Sequence, residues 1–161
     1  MKFSKVMALA GVTLLASGVL AACSGSSAKG EKTFSYTYET DPDNLNYLTT
    51  GKAATSNITS NVIDGLMEND RYGNFVPSIA EDWSVSQDGL TYTYTIRKDA
   101  KWYTSEGEEY AAVKAQDFVT GLKYAADNKS EALYLVQDSI KGLDAYVKGE
   151  VKDFSEVGIK A

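Results

Sequence analysis

The sequence contains no histidine. That excludes Ser-His-Asp and Cys-His catalysis, and zinc sites built on imidazole. Cysteine occurs once, at Cys23, so no disulfide can form within the chain. Positive charge is sparse and scattered: 16 Lys and Arg stand against 22 Asp and Glu, a formal net charge of −6. A nucleic-acid binder normally carries a basic patch. No Lys/Arg cluster occurs here, and nucleic acid is not an expected partner. An acidic balance of this kind is read as solubility.

With histidine and a free thiolate set aside, a carboxylate pair is the remaining enzymatic option. Glu106, Glu108 and Glu109 are the densest acids, but they flank Gly107 in what reads as a solvated hairpin tip. Asp41-Pro42-Asp43 opens like a calcium loop. The pattern then fails, with Leu45 in a ligand position, Asn46 where glycine is needed and Lys52 where the bidentate glutamate belongs. Gly51-Lys52-Ala53 lacks the upstream glycine and the Ser/Thr of a phosphate loop.

The one long apolar run is N-terminal. Lys2 and Lys5 precede residues 6–22, which are apolar or small, and Leu20-Ala21-Ala22 leads directly into Cys23. This is the form of a removable secretory signal. A membrane span needs ~20 apolar residues; this run is slightly short, and Gly11 and Gly18 weaken it further. Loss of residues 1–22 removes two lysines and no acid, which takes the formal charge from −6 to −8. Residues 23–32, rich in Ser and Gly, read as a flexible tether.

Residues 33–40 alternate, with Phe34, Tyr36 and Tyr38 on one face, and predict a first strand that Asp41-Pro42 ends. Thr55 or Ser56 is positioned to cap a helix carrying Ile58, Val62, Ile63, Leu66 and Met67 on one stripe. Asn69 to Asn74 reads as a turn around Gly73. Further helices are predicted over residues 115–126, with Phe118, Val119, Leu122 and Ala126 on one side, and from Ser130, with Leu133, Val136, Ile140, Leu143 and Val147 as its stripe and Gly149 as its stop. Phe154, Val157 and Ile159 read as the entry to another strand.

Residues 80–118 are the most informative stretch. Both tryptophans, Trp83 and Trp102, lie here. Asp88-Gly89 is a tight-turn dipeptide, because glycine accepts the positive φ such turns demand. Leu90, Tyr92, Tyr94 and Ile96 then alternate with Thr91, Thr93 and Thr95, one set on each sheet face. Taken as spacing alone, this is an ordinary hairpin of an α/β protein. The expectation is that Trp83, Tyr92, Tyr94, Ile96 and Trp102 are mostly buried around one sheet.

The wording of the stretch says more than its spacing. Trp83, the run Asp88-Gly89-Leu90-Thr91-Tyr92-Thr93, Ile96-Arg97, Lys101-Trp102, the acidic turn at Gly107 and Asp117-Phe118-Val119 closely resemble the signature of the family 5 extracellular solute-binding proteins. These are the oligopeptide-binding components of ABC importers, with the streptococcal oligopeptide-binding lipoproteins nearest in look. The resemblance implies a mixed α/β fold, the N-terminal part of lobe I of a type II periplasmic-binding-protein-like fold, incomplete because family members are several times longer. It divides the chain into a lipoprotein signal peptide (1–22), a tether (23–32) and a partial family 5 domain (33–161). It implies that Cys23 is the lipidation site, acylated by diacylglyceryl and fatty acyl chains such as palmitate, and that the chain sits on the outer face of the cell membrane. It further implies that Tyr38, Glu39 and Thr40 line the peptide cleft, that oligopeptides and ABC permease subunits are the partners, and that neither a cofactor nor a metal is used. A surface-anchored interaction or peptide-sensing protein without transport is the alternative, and a small carboxylate enzyme a third.

Overall fold

The computed structural model describes residues 35–161. The chain divides between Thr37 and Tyr38, and every helix and strand among the described residues lies in the unit Tyr38–Ala161. None of these helices is long and apolar enough to cross a membrane.

Helix α1 (Ala53–Thr59) comes first. Its cap is Lys52, and Thr55 and Ser56 lie inside it rather than at its start. The expected stripe from Ile58 to Met67 is not continuous, because the helix stops at Thr59 and Met67 enters a strand. The cause is local. Thr59 Oγ1 donates to Thr55 O at 3.1 Å, Ser56 Oγ to Lys52 O at 3.4 Å and Asn61 Nδ2 to Asn57 O at 2.7 Å. Ser, Thr and Asn side chains compete for helical carbonyls in this way and shorten helices.

Six strands follow: β1 (Met67–Asn69), β2 (Phe75–Pro77), β3 (Ala80–Val85), β4 (Tyr92–Ile96), β5 (Lys101–Tyr103) and β6 (Glu109–Ala112). They pair as three separate antiparallel ribbons, β1–β2, β3–β4 and β5–β6. Main-chain bonds join the first two. Ile79 N donates to Gly65 O at 3.1 Å, Ala80 N to Leu66 O at 3.0 Å and Arg97 N to Ile79 O at 3.0 Å. The expected turns are present, with φ near +80° at Gly73 and Gly107 and +73° at Gly89.

In β3–β4 the register sets Trp83 opposite Tyr94 and Val85 opposite Tyr92, with Ser84 opposite Thr93. One face is therefore apolar and the other hydroxylated, as the alternation predicts. Burial does not follow. Tyr92 is 59% exposed, Trp83 40% and Trp102 38%; only Tyr94 and Ile96 are half-buried. The expectation of a core around one sheet is corrected here. A two-stranded ribbon has no third strand or covering layer to take its apolar face out of water.

The core lies instead in the C-terminal helical part. Helix α2 (Ala115–Asp127) contributes Val119, Leu122, Ala125 and Ala126. Residues 130–147 form a 3-10 turn (Leu133–Leu135) and a short helix α3 (Leu143–Val147), not the continuous helix expected. Gly142 breaks the run with φ +76°, and a Cβ there would meet Glu156 O at 3.0 Å. Glycine reaches this conformation without strain. The predicted stripe nevertheless faces inward: Leu133 and Leu143 are buried, and Val136, Ile140 and Val147 pack on them. The expected terminal strand is a 3-10 turn (Phe154–Glu156), started by Asp153, whose carboxylate accepts from Ser155 N at 2.9 Å. It drops Phe154 and Val157 into the core, with the Phe154 ring edge-on to Tyr146 at 5.0 Å. The expected first strand is also absent, since the described residues of that segment, 35–40, form none.

Polar staples tie the ribbons and helices. Asp117 Oδ2 accepts from Lys114 N and from Trp102 Nε1, each at 3.0 Å, which pins β5 to the start of α2. Tyr146 Oη donates to Asp127 Oδ1 at 2.6 Å, joining α3 to the end of α2. Beyond β4, Arg97 grips Asp99 through Nε to Oδ1 at 2.9 Å and Nη2 to Oδ2 at 3.0 Å. Those bonds hold the Asp99 carboxyl down at about 2. A carboxyl lowered on folding contributes stability above its unfolded value of about 3.9, and that contribution is lost as pH falls through about 2. The pair is exposed and salt-screened. An NMR titration is expected to place the Asp99 midpoint near 2, and Arg97→Ala to return it towards about 3.9. An unchanged midpoint in the variant contradicts the assignment.

Candidate functional site

The residues named from sequence separate into two groups. Cys23 lies outside the described residues. Tyr38, Glu39 and Thr40 are exposed and belong to no helix or strand, with a bend at residues 39–40. Thr40 Oγ1 lies 3.5 Å from Asp41 O, to which it donates.

The loop that follows fastens this segment to the helical part. Asn44 Oδ1 accepts from Asn46 N at 2.9 Å, an Asx turn that aims the chain without regular structure. Thr55 Oγ1, almost fully buried, donates to Asn44 O at 2.7 Å. Lys52 pairs with Asp43, whose hydrogen bond and charge raise the lysine above its ordinary value. Asn46 Nδ2 donates to Tyr124 Oη on α2 at 3.1 Å.

A second attachment was not legible in the sequence. Glu131 Oε2 accepts from Gly51 N at 3.0 Å and from Thr50 Oγ1 at 3.4 Å, while Glu131 N donates to Thr49 O at 3.0 Å. These partners are about 80 residues apart, and no periodicity or motif marks the pairing. Between the two strands of chain so joined lies an open groove of about 430 Å³, walled by residues of the 47–63 and 132–135 segments. Burial pushes the Tyr47 phenol up, as expected for a ring partly withdrawn from water.

The acidic cluster weighed as an enzymatic pair sits at the β5–β6 tip. Lys101 Nζ holds Glu109 at 2.5 Å, and Ser105 Oγ donates to Glu106 at 2.8 Å, lowering its titration. Asp117 and Asp127 are lowered as well, by the bonds from Trp102 and from Lys123 respectively. A general acid at neutral pH requires displacement the other way. Among the described residues, no group of three or more His, Cys, Asp or Glu side chains is placed to hold a metal ion.

Residues 74–160, more than half of the chain, match the family described as "Bacterial extracellular solute-binding proteins, family 5 Middle". The oligopeptide-binding protein AliA of Streptococcus pneumoniae is 87% identical over 100% of this chain and 25% of its own length. SarA of Streptococcus gordonii, also an oligopeptide-binding protein, is 70% identical over 100% of this chain and 26% of its own. Among solved structures, Haemophilus influenzae OppA in complex with RPPGFSPFR superposes with a TM-score of 0.65 at 28% identity, over 75% of this chain and 23% of that one. The chain thus spans about a quarter of the length of the curated relatives it matches. The mixed α/β architecture described above is part of the larger fold of these binding proteins.

Proposed function

Since this chain belongs to the bacterial extracellular solute-binding proteins of family 5, we propose that it serves oligopeptide uptake as the substrate-binding lipoprotein of an ABC importer. Identity of 87% to an oligopeptide-binding protein along the whole chain is the observation that carries this reading. The solute-binding proteins of this family are not enzymes, and no bond is broken in the proposed role. Residues 33–161 supply part of one lobe, and the exposed segment at Tyr38, Glu39 and Thr40 offers main-chain groups to an extended peptide. Main-chain pairing of this kind gives affinity, and pockets for alternate side chains give specificity. A permease in the membrane receives the peptide. Titration of a chain extended to the relatives' length with a tetra- to octapeptide library, followed by calorimetry, tests the function. Absence of heat with every peptide overturns it.

The proposed anchor follows from Leu20-Ala21-Ala22-Cys23. Residues 1–22 are removed, the Cys23 thiol is acylated, and residues 23–32 tether the protein to the outer face of the membrane. More than one acyl chain gives stable anchoring, each buried CH₂ contributing ~0.8 kcal/mol. Cys23→Ser is expected to abolish fatty-acid labelling and release the protein from the membrane fraction. Labelling that persists in this variant contradicts the anchor.

A further inference from the structure

We propose that Asp64-Gly65, between α1 and β1, is the site where this chain isomerises aspartate to isoaspartate, and that the tight turn at Asp88-Gly89 resists the same reaction. Asp-Gly occurs at these two places only, and Asn-Gly nowhere. Glycine leaves the reacting peptide nitrogen unshielded by a Cβ. That nitrogen attacks Cγ of the preceding aspartic acid. A C–N bond forms, the nitrogen gives up its proton, and a carboxyl oxygen leaves as water. A second water opens the succinimide so formed. Attack at Cγ restores aspartate. Attack at the main-chain carbonyl leaves isoaspartate, whose main chain runs through Cβ and Cγ. One water is lost and one regained, so no oxidant or other reagent is consumed.

The two dipeptides are alike in sequence and both are exposed. Their hydrogen bonds differ. Gly89 N donates to Ser86 O at 2.9 Å, which occupies the nucleophile. Asp88 Oδ1 accepts from Ser86 Oγ at 2.5 Å and from Leu90 N at 3.1 Å, which fixes the electrophile. These bonds, that from Ser86 foremost, hold the Asp88 carboxyl below its ordinary value. The protonated acid, the form that loses water, is depleted accordingly. Bonds must therefore break before the turn can react.

At Asp64-Gly65 neither partner is held. Among the described residues no acceptor takes the Gly65 N–H, and no donor bonds the Asp64 carboxylate. Arg97 acts on Asp64 through space only, its Nε and Nη2 being held by Asp99. The carbonyls that follow are in use, however. Gly65 O accepts from Ile79 N, and Leu66 O from Ala80 N, the bonds that join β1–β2 to β3–β4. Isoaspartate adds a methylene to the main chain directly before this junction. Gly65 has little room to absorb it, since even a Cβ there would meet Met67 O at 3.0 Å. Conversion at Asp64 therefore loosens the joint between the two ribbons.

The test is to age the 161-residue chain at physiological temperature and mildly acidic pH, then to map isoaspartate in its proteolytic peptides by electron-transfer mass spectrometry. Isoaspartate at residue 64 is expected to exceed that at residue 88 on the order of tenfold, the scale set by the hydrogen bonds that the Asp88 turn must break. Asp64→Glu, whose longer side chain closes a larger ring far more slowly, should abolish the signal at residue 64. Ser86→Ala, which strips the hydroxyl from Asp88, should raise conversion at residue 88. In converted chains, hydrogen exchange at the Ile79 and Ala80 amides should quicken. Equal conversion at both residues, an excess at residue 88, or none at residue 64 overturns the site. Wild-type conversion at residue 88 in Ser86→Ala overturns the protection by Ser86. Unchanged exchange at Ile79 and Ala80 in converted chains overturns the loosening of the joint.

Discussion

Leu143→Ala is expected to lower the unfolding free energy by about 3–5 kcal/mol, while Tyr92→Ala changes it by less than ~1 kcal/mol. Leu143 is wholly buried, at the centre of the cluster that holds Ala126, Leu133, Phe154 and Val157. It opens α3 directly after Gly142, whose left-handed backbone and close approach to Glu156 fix the helix start. The main chain therefore cannot slide to fill the space that truncation leaves, and the cost includes a cavity as well as lost transfer energy. Tyr92 is 59% exposed on a ribbon without a covering layer, so its removal changes little that water did not already reach. Net stabilities of single domains are only ~5–15 kcal/mol, which makes the first variant close to unfolded. Urea denaturation followed by circular dichroism separates the two. A Leu143→Ala midpoint close to wild type, or a Tyr92→Ala midpoint far below it, places the core in the ribbons instead.

That contrast shows what the sequence makes legible. Turn chemistry is local, and Gly73, Gly89, Gly107 and Gly149 all take the positive φ their neighbours predict. Strand alternation is local too: Tyr92 and Tyr94 share the face of Val85 and Trp83 as expected. Which face is buried depends on what covers it, and no pattern within residues 80–97 carries that information. The 133–147 stripe illustrates the same limit from the other side. Its residues enter the core as predicted, but the periodicity does not register that Gly142 reverses the backbone and divides the helix. The groove was illegible for a related reason. Its walls meet through Glu131 and Gly51, whose separation of 80 residues leaves no trace in any short motif. The family signature, by contrast, is wording rather than physics, and residues 80–118 carry it without any knowledge of burial.

The 161-residue chain alone is expected to bind oligopeptides more weakly than ~1 mM, and a chain extended to the relatives' length to bind them far more tightly. The described residues offer an exposed segment at 38–40, proposed above to take part in peptide binding, and a separate groove open to solvent. The relatives have about four times this length. A peptide on a single wall keeps much of its surface in water, yet its freedom is restricted as if it were enclosed. Association costs an estimated ~4–15 kcal/mol before any contact offsets it. Pairing along Tyr38, Glu39 and Thr40 supplies only a few hydrogen bonds, each contributing ~0.5–1.5 kcal/mol net. These contributions reach the lower end of the association cost and no further, so the balance stays near zero. Calorimetric titration of both chains with the same tetra- to octapeptide library reads the difference directly. Micromolar binding by the 161-residue chain refutes the single-wall account and locates a complete peptide site within residues 38–161.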